Sequence, residues 1–134
     1  MPRRYLLLLA LAASVLSACS NVPYRQRQEA RLAEYQKFAG EPIDKFHYFH
    51  MEDWEILGPN TIALRTSPRD SYLITVEKVC PQLEWAHTVG ITGSSGEVHR
   101  RFDSVNVRGW NCHIEEIRPV RYRDMVHEEL VRSK

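Results

Sequence analysis

Three cysteines carry the most distinctive chemistry in this 134-residue chain, and their positions give them two different fates. Cys19 closes the run Leu16-Ser17-Ala18-Cys19, after a basic start at Arg3 and Arg4 and an apolar stretch from Tyr5 to Leu16. A charged start, a short apolar run and small residues ahead of a cysteine form the pattern of a bacterial lipoprotein signal peptide. The chemistry expected is a diacylglycerol thioether on Cys19, cleavage before it, and an amide-linked, palmitate-type acyl chain on the freed amine. Three acyl chains exceed the two signals that stable anchoring needs, at about 0.8 kcal/mol per buried methylene. The rival readings are a membrane-spanning helix and an ordinary secretory leader. Twelve residues from Tyr5 to Leu16 reach only about 18 Å as a helix, against a hydrocarbon core of about 30 Å.

With Cys19 given to lipid, Cys80 and Cys112 remain. In an oxidising compartment two such thiols are expected to form one disulfide. Closing a loop of about 30 residues would stabilise by roughly 3 to 4 kcal/mol on the chain-entropy model. A metal or redox pair is the alternative, but Cys-x-x-Cys is absent and two thiolates supply half a zinc site.

Other reactive groups point to no catalytic or cofactor site. His47 and His50 with Glu52 and Asp53 have the composition of a divalent-metal site, yet residues three apart in a strand face opposite ways unless a bulge intervenes. Gly90-x-x-Gly93-x-x-Gly96 lacks the Lys-Ser/Thr ending and following helix of a phosphate loop, and reads as a hairpin tip. Ser94 and Ser95 lie outside a Gly-x-Ser-x-Gly elbow. Glu115 and Glu116 diverge as strand neighbours, unlike the paired carboxylates of glycoside cleavage. Asp103 suits a turn carboxylate that accepts from backbone amides. No cofactor and no metal are expected, and the chain is read as a non-enzyme.

The elements that position these residues follow from composition and periodicity. Removing residues 1–18 leaves one domain's worth of chain, and basic residues fall from 18 to 16 against 17 acidic ones, so no footprint for nucleic acid exists. Tyr24 to Phe38 is rich in Gln, Glu, Ala, Arg and Leu, which predicts a helix after Pro23 that stops at Gly40 and docks through Leu32, Tyr35 and Phe38. Strands are expected near Lys45–His50, Trp54–Leu57, Thr61–Arg65, Ser71–Val76, Thr88–Thr92, Val98–Phe102, Ser104–Val107 and His113–Ile117. Gly58-Pro59-Asn60, Ser67-Pro68-Arg69-Asp70 and Gly93-Ser94-Ser95-Gly96 are the turns between them. Residues 77–86 read as a loop or a short helical turn, and Tyr122, Met125, Val126 and Leu130 predict a terminal helix that covers an open end of the sheet. The expected fold is α+β and mainly β: a small antiparallel sheet or barrel-like body with an N-terminal and a short C-terminal helix. Its divisions are a signal peptide (1–18), an anchor, tether and helix (19–42), and the β domain (43–134).

Tyr35 to Gly40, Glu41-Pro42-Ile43-Asp44-Lys45-Phe46, Trp54 with Leu57-Gly58, Tyr72-Leu73, Cys80-Pro81-x-Leu83, Phe102-Asp103-x-Val105 and Cys112-x-Ile114-x-x-Ile117-Arg118-Pro119 together carry a resemblance. The chain resembles a proteobacterial family of small lipoproteins catalogued as a domain of unknown function (number 6491). The resemblance spans nearly the whole mature chain, implies lipidation and the pairing of Cys80 with Cys112, and implies no activity. The short Arg108-Gly109-Trp110-Asn111 link departs from the longer or more Gly-rich turn of relatives.

Two functional classes follow. One is a non-catalytic binding or scaffolding module that presents a surface to an envelope protein or polymer; the other is a carrier of a small apolar ligand. Alternation from Phe46 to Met51 gives two aromatic faces where one core can bury a single set, so Phe46, Tyr48, Phe49 and Trp54 are the candidate partner surface unless the N-terminal helix covers the surplus. Ser20 after the lipidated cysteine favours the outer membrane, with the body in the periplasm. Replacing Cys19 with Ala is expected to move the protein out of the membrane fraction. Unchanged retention, together with an unmodified Cys19 peptide in the wild type by mass spectrometry, would overturn the anchor.

Overall fold

Tyr24–Phe38 is a helix, α1, because its fifteen residues include strong helix formers and no β-branched residue, Gly or Pro. The computed structural model describes residues 21–134, so the expectations for residues 1–18 and for Cys19 lie outside the described residues. After α1 come β1 (Lys45–His47), β2 (Asp53–Ile56), β3 (Thr61–Arg65), β4 (Ser71–Val76) and a 3₁₀ turn (Leu83–Trp85). The chain continues through β5 (Gly90–Ile91), β6 (Glu97–His99), β7 (Ser104–Val107), β8 (Trp110–Val120) and α2 (Tyr122–Arg132). Six strands form one curled antiparallel half-barrel in the order β2-β3-β4-β8-β7-β5, and β1 pairs with β6 in a small second sheet. The class is the expected one, mainly β with a helix at each end.

β8 is longer than the expected His113–Ile117 because it serves three neighbours. Its first residues, Trp110 to His113, pair with β7, and Ile114 to Val120 pair with β4. The register jumps between Thr75↔Glu116 and Val76↔Ile114, so Glu115 is an extra residue at a bulge, which bends and twists a strand locally. Along the other edge of its second half runs a strap, residues 39–43, bridged at Ala39↔Val120 and Ile43↔Ile117. Pro119 fits inside this strand because the strap takes only its carbonyl, which accepts from Gly40 N–H at 2.7 Å. Gly40 is therefore no left-handed helix stop. It permits close approach, since a Cβ there would lie 3.3 Å from the Pro119 ring.

Two apolar layers sandwich the sheet, where a single core was expected. Ile62, Leu64, Ile74, Val76, Val105, Val107, Ile114 and Ile117 fill the concave side together with Phe46 and Val98 of the small sheet. On the convex side Leu57, Ala63, Leu73 and Val120 meet Tyr35 and Phe38 of α1 and Met125 of α2. Residues 61–64 are consequently buried on both faces. α2 lies beside α1 instead of capping an open end, and Leu130, expected on its buried side, is exposed. Lys37–Glu128 and Arg132–Glu34 join the two helices at the surface, where such pairs contribute at most about 1 kcal/mol each.

The Ser67-Pro68-Arg69-Asp70 turn forms as expected, with Ser67 Oγ accepting from Arg69 N–H and Asp70 N–H. Ser95 and Gly96 both have positive φ in the turn before β6, the signature of a primed turn. That turn joins no simple hairpin, however. β5 pairs with β7 while β6 pairs with β1, so the chain changes sheets there. The expected strand 88–92 shrinks to two residues, and 98–102 becomes 97–99 followed by a turn in which Asp103 N–H donates to His99 O at 2.9 Å. Arg108 and Gly109, again both at positive φ, close the β7–β8 hairpin in two residues.

A disulfide links Cys80 to Cys112, with Cα atoms 5.7 Å apart and both residues buried in the concave core. It ties the irregular segment after β4 to the start of β8. Cys112→Ala, or reduction, is expected to cost roughly 3 to 4 kcal/mol and to lower Tm by more than about ten degrees in a calorimetric scan. An unchanged Tm would show that the pairing and core already hold this segment.

Candidate functional site

The four aromatic residues marked out by alternation do not share one surface, because β1 ends at His47 and pairs with β6 and not with β2. Phe46 is a core residue, its ring stacked on Tyr72 with centroids 4.1 Å apart. Tyr48 is half-buried, its backbone N–H donating to Gly96 O at 2.8 Å, and it packs against the concave core. Trp54 packs against the same core from β2, the strand at one end of the large sheet. Phe49 alone is left out, 86 % exposed, with its ring edge against Gly96. α1 does not cover it, since Tyr35 and Phe38 are spent on the convex core.

The metal-like group is likewise dispersed. His47 turns toward Glu97 of β6, at 3.9 Å, whereas His50 lies near Glu52, also at 3.9 Å. On the outer face of the small sheet the Glu97 carboxylate accepts from Lys45 Nζ at 3.1 Å and lies 3.1 Å from His99 Nε2. The Lys45 hydrogen bond, followed by its charge and by His99, holds Glu97 below the usual carboxylate range. A depressed carboxylate favours the folded state above its unfolded pKa, and that contribution fades as pH falls through the folded value. Among the described residues no group of three His, Cys, Asp or Glu is arranged to hold a metal ion. Asp103 is the buried turn carboxylate expected, with Oδ2 accepting from His99 N–H at 2.7 Å and Oδ1 from Thr92 Oγ1 at 3.3 Å.

A cleft that sequence periodicity did not reveal lies between α1 and β2. It has a volume of about 130 Å³ and is lined by Arg31, Tyr35, Trp54, Glu55, Arg65 and Tyr122 among others. Arg31 Nε donates to Glu55 Oε1 at 3.1 Å and Nη1 to Glu34 at 2.8 Å. The Tyr35 hydroxyl donates to Glu55 Oε2 at 3.0 Å. Burial, and then the Glu55 charge, raise the Tyr35 pKa, so the phenol stays a neutral donor. Arg65 stacks over Tyr122, 5.3 Å from the ring centre, and reaches Asp53 at 3.5 Å. Ser71 spends its hydroxyl on Leu64 O.

With Arg31 bonded to Glu34 and Glu55 and the Tyr35 hydroxyl on the same Glu55, this cleft works as a clamp that fastens α1 across the sheet. It also blunts the edge of β2. Alternate residues of an antiparallel edge strand aim their amides outward. Here Trp54 N–H donates to Asp53 Oδ1 at 2.9 Å, and Ile56 O accepts from Gln28 Nε2 at 3.5 Å. Tyr35→Phe is expected to lower stability by about 1 kcal/mol in urea denaturation. An unshifted midpoint would mean that Arg31 alone satisfies Glu55.

Comparison with known protein families gives a match over nearly the whole chain. The model of a family of unknown function, DUF6491, matches residues 2–133. No curated protein and no solved structure matches the chain. Because that match runs over almost the entire sequence, from the basic start to the end of α2, the chain belongs to the family of unknown function DUF6491.

Proposed function

We propose that this protein is a lipid-anchored component of the bacterial envelope whose β body is a non-catalytic binding or scaffolding module. The anchor rests on Leu16-Ser17-Ala18-Cys19, and Ser20 favours the outer membrane with the body in the periplasm. No described helix is long and apolar enough to cross a membrane. The proteobacterial lipoprotein character read from the sequence belongs to the same proposal.

The observation that carries the binding role is Phe49. A whole phenyl ring stands in solvent while Phe46, Tyr48 and Trp54 pack against the core. Large exposed rings are favoured anchors for protein partners, and Glu52 and Asp53, three and four residues further along the chain, are exposed carboxylates. An envelope protein or polymer is the partner class that fits. The carrier reading has less support, because Ile62, Ile74, Val105, Ile114 and Ile117 fill the interior of the half-barrel at 0 % exposure.

Phe49→Ala removes a ring that touches little of the body, so its circular dichroism and Tm should match the wild type. Co-purification from detergent-solubilised membranes should then lose the partner that the wild type retains. An unaltered set of partners from the folded variant would remove Phe49 from the binding role.

A further inference from the structure

Tyr24 opens α1 and Trp85 closes the 3₁₀ turn, yet their rings lie together, with centroids 6.5 Å and planes 22° apart. Neither belongs to the two cores, and Trp85 is 64 % exposed. Val22, Arg25 and Arg27 beside Tyr24 are exposed as well, and Glu84 beside Trp85 is half-buried. Among the described residues Arg31 engages Glu34 and Glu55, whereas no carboxylate lies within ion-pair distance of Arg25 or Arg27.

We propose that Tyr24, Trp85, Arg25 and Arg27 form a contact with the phospholipid surface that fixes how the body sits on the membrane. The inference rests on the lipid-anchor reading above. Four residues lie between Cys19 and Tyr24, and the five steps from one to the other reach at most about 18 Å when fully extended. A lipid on Cys19 therefore keeps the start of α1 within reach of the headgroups. Phenol and indole rings, apolar in body and polar at one edge, are enriched at membrane interfaces. Unpaired guanidiniums complement anionic headgroups there.

The test uses the mature lipidated protein in vesicles of phosphatidylethanolamine and phosphatidylglycerol, with bromine placed high on the acyl chains. Wild-type tryptophan emission should be quenched, and the quenching should largely vanish in Trp85→Phe, leaving the signal of Trp54 and Trp110. Arg25→Glu with Arg27→Glu should reduce it at least about twofold, as expected when attraction becomes repulsion. Unquenched Trp85 in vesicle-bound protein overturns the contact and leaves the anchor standing. Protein that lacks lipid on Cys19 by mass spectrometry and does not float with the vesicles overturns the anchor, and the contact with it.

Discussion

Everything in this fold depends on one strand having to satisfy three partners. β8 pairs with β7, then with β4, and carries the strap from α1 on its remaining edge. A straight strand could not do this without leaving amides unpaired, and the bulge at Glu115 is where the ladder changes hands. The disulfide enters β8 near its start, and the strap and α2 leave from its end, so both apolar layers are registered against a single element.

The strap explains how a small chain builds a sheet buried on both faces. By pairing with β8 it fixes the point where α1 ends, and α1 then places Tyr35 and Phe38 over Ala63 and Leu73. The Arg31–Glu55 and Tyr35–Glu55 bonds act on the same face of that helix, toward its start. They are polar, partly solvated and individually worth about 1 kcal/mol. Their role is orientation, while the apolar contacts supply most of the adhesion.

Elements whose signal is local were legible from the sequence. α1, β3, β4 and β7 have the expected bounds, because helix-forming composition or strict alternation between turn residues determines each one. Cys80 with Cys112 was legible by elimination. Features set by residues far apart in sequence were not. Nothing near Lys45 announces that its strand ends after three residues and pairs with Glu97–His99, so alternation was carried too far and the aromatic surface shrank to Phe49. Nor does Arg31 reveal that its acceptor, Glu55, lies on a strand 24 positions away. The second core stayed hidden for the same reason: Ala63 and Leu73 look like outward positions until two helices cover them.

The placement of α1 also sets a mechanical order. A pull applied ahead of Tyr24 meets the helix first, where Gln28, Tyr35 and Phe38 grip the convex side through one buried amide and two rings. The strap is next in line, and only beyond it lie the small sheet and the half-barrel interior, cross-linked between Cys80 and Cys112. Tension from that end would therefore load the helix and then the strap before it reached the cross-linked half-barrel.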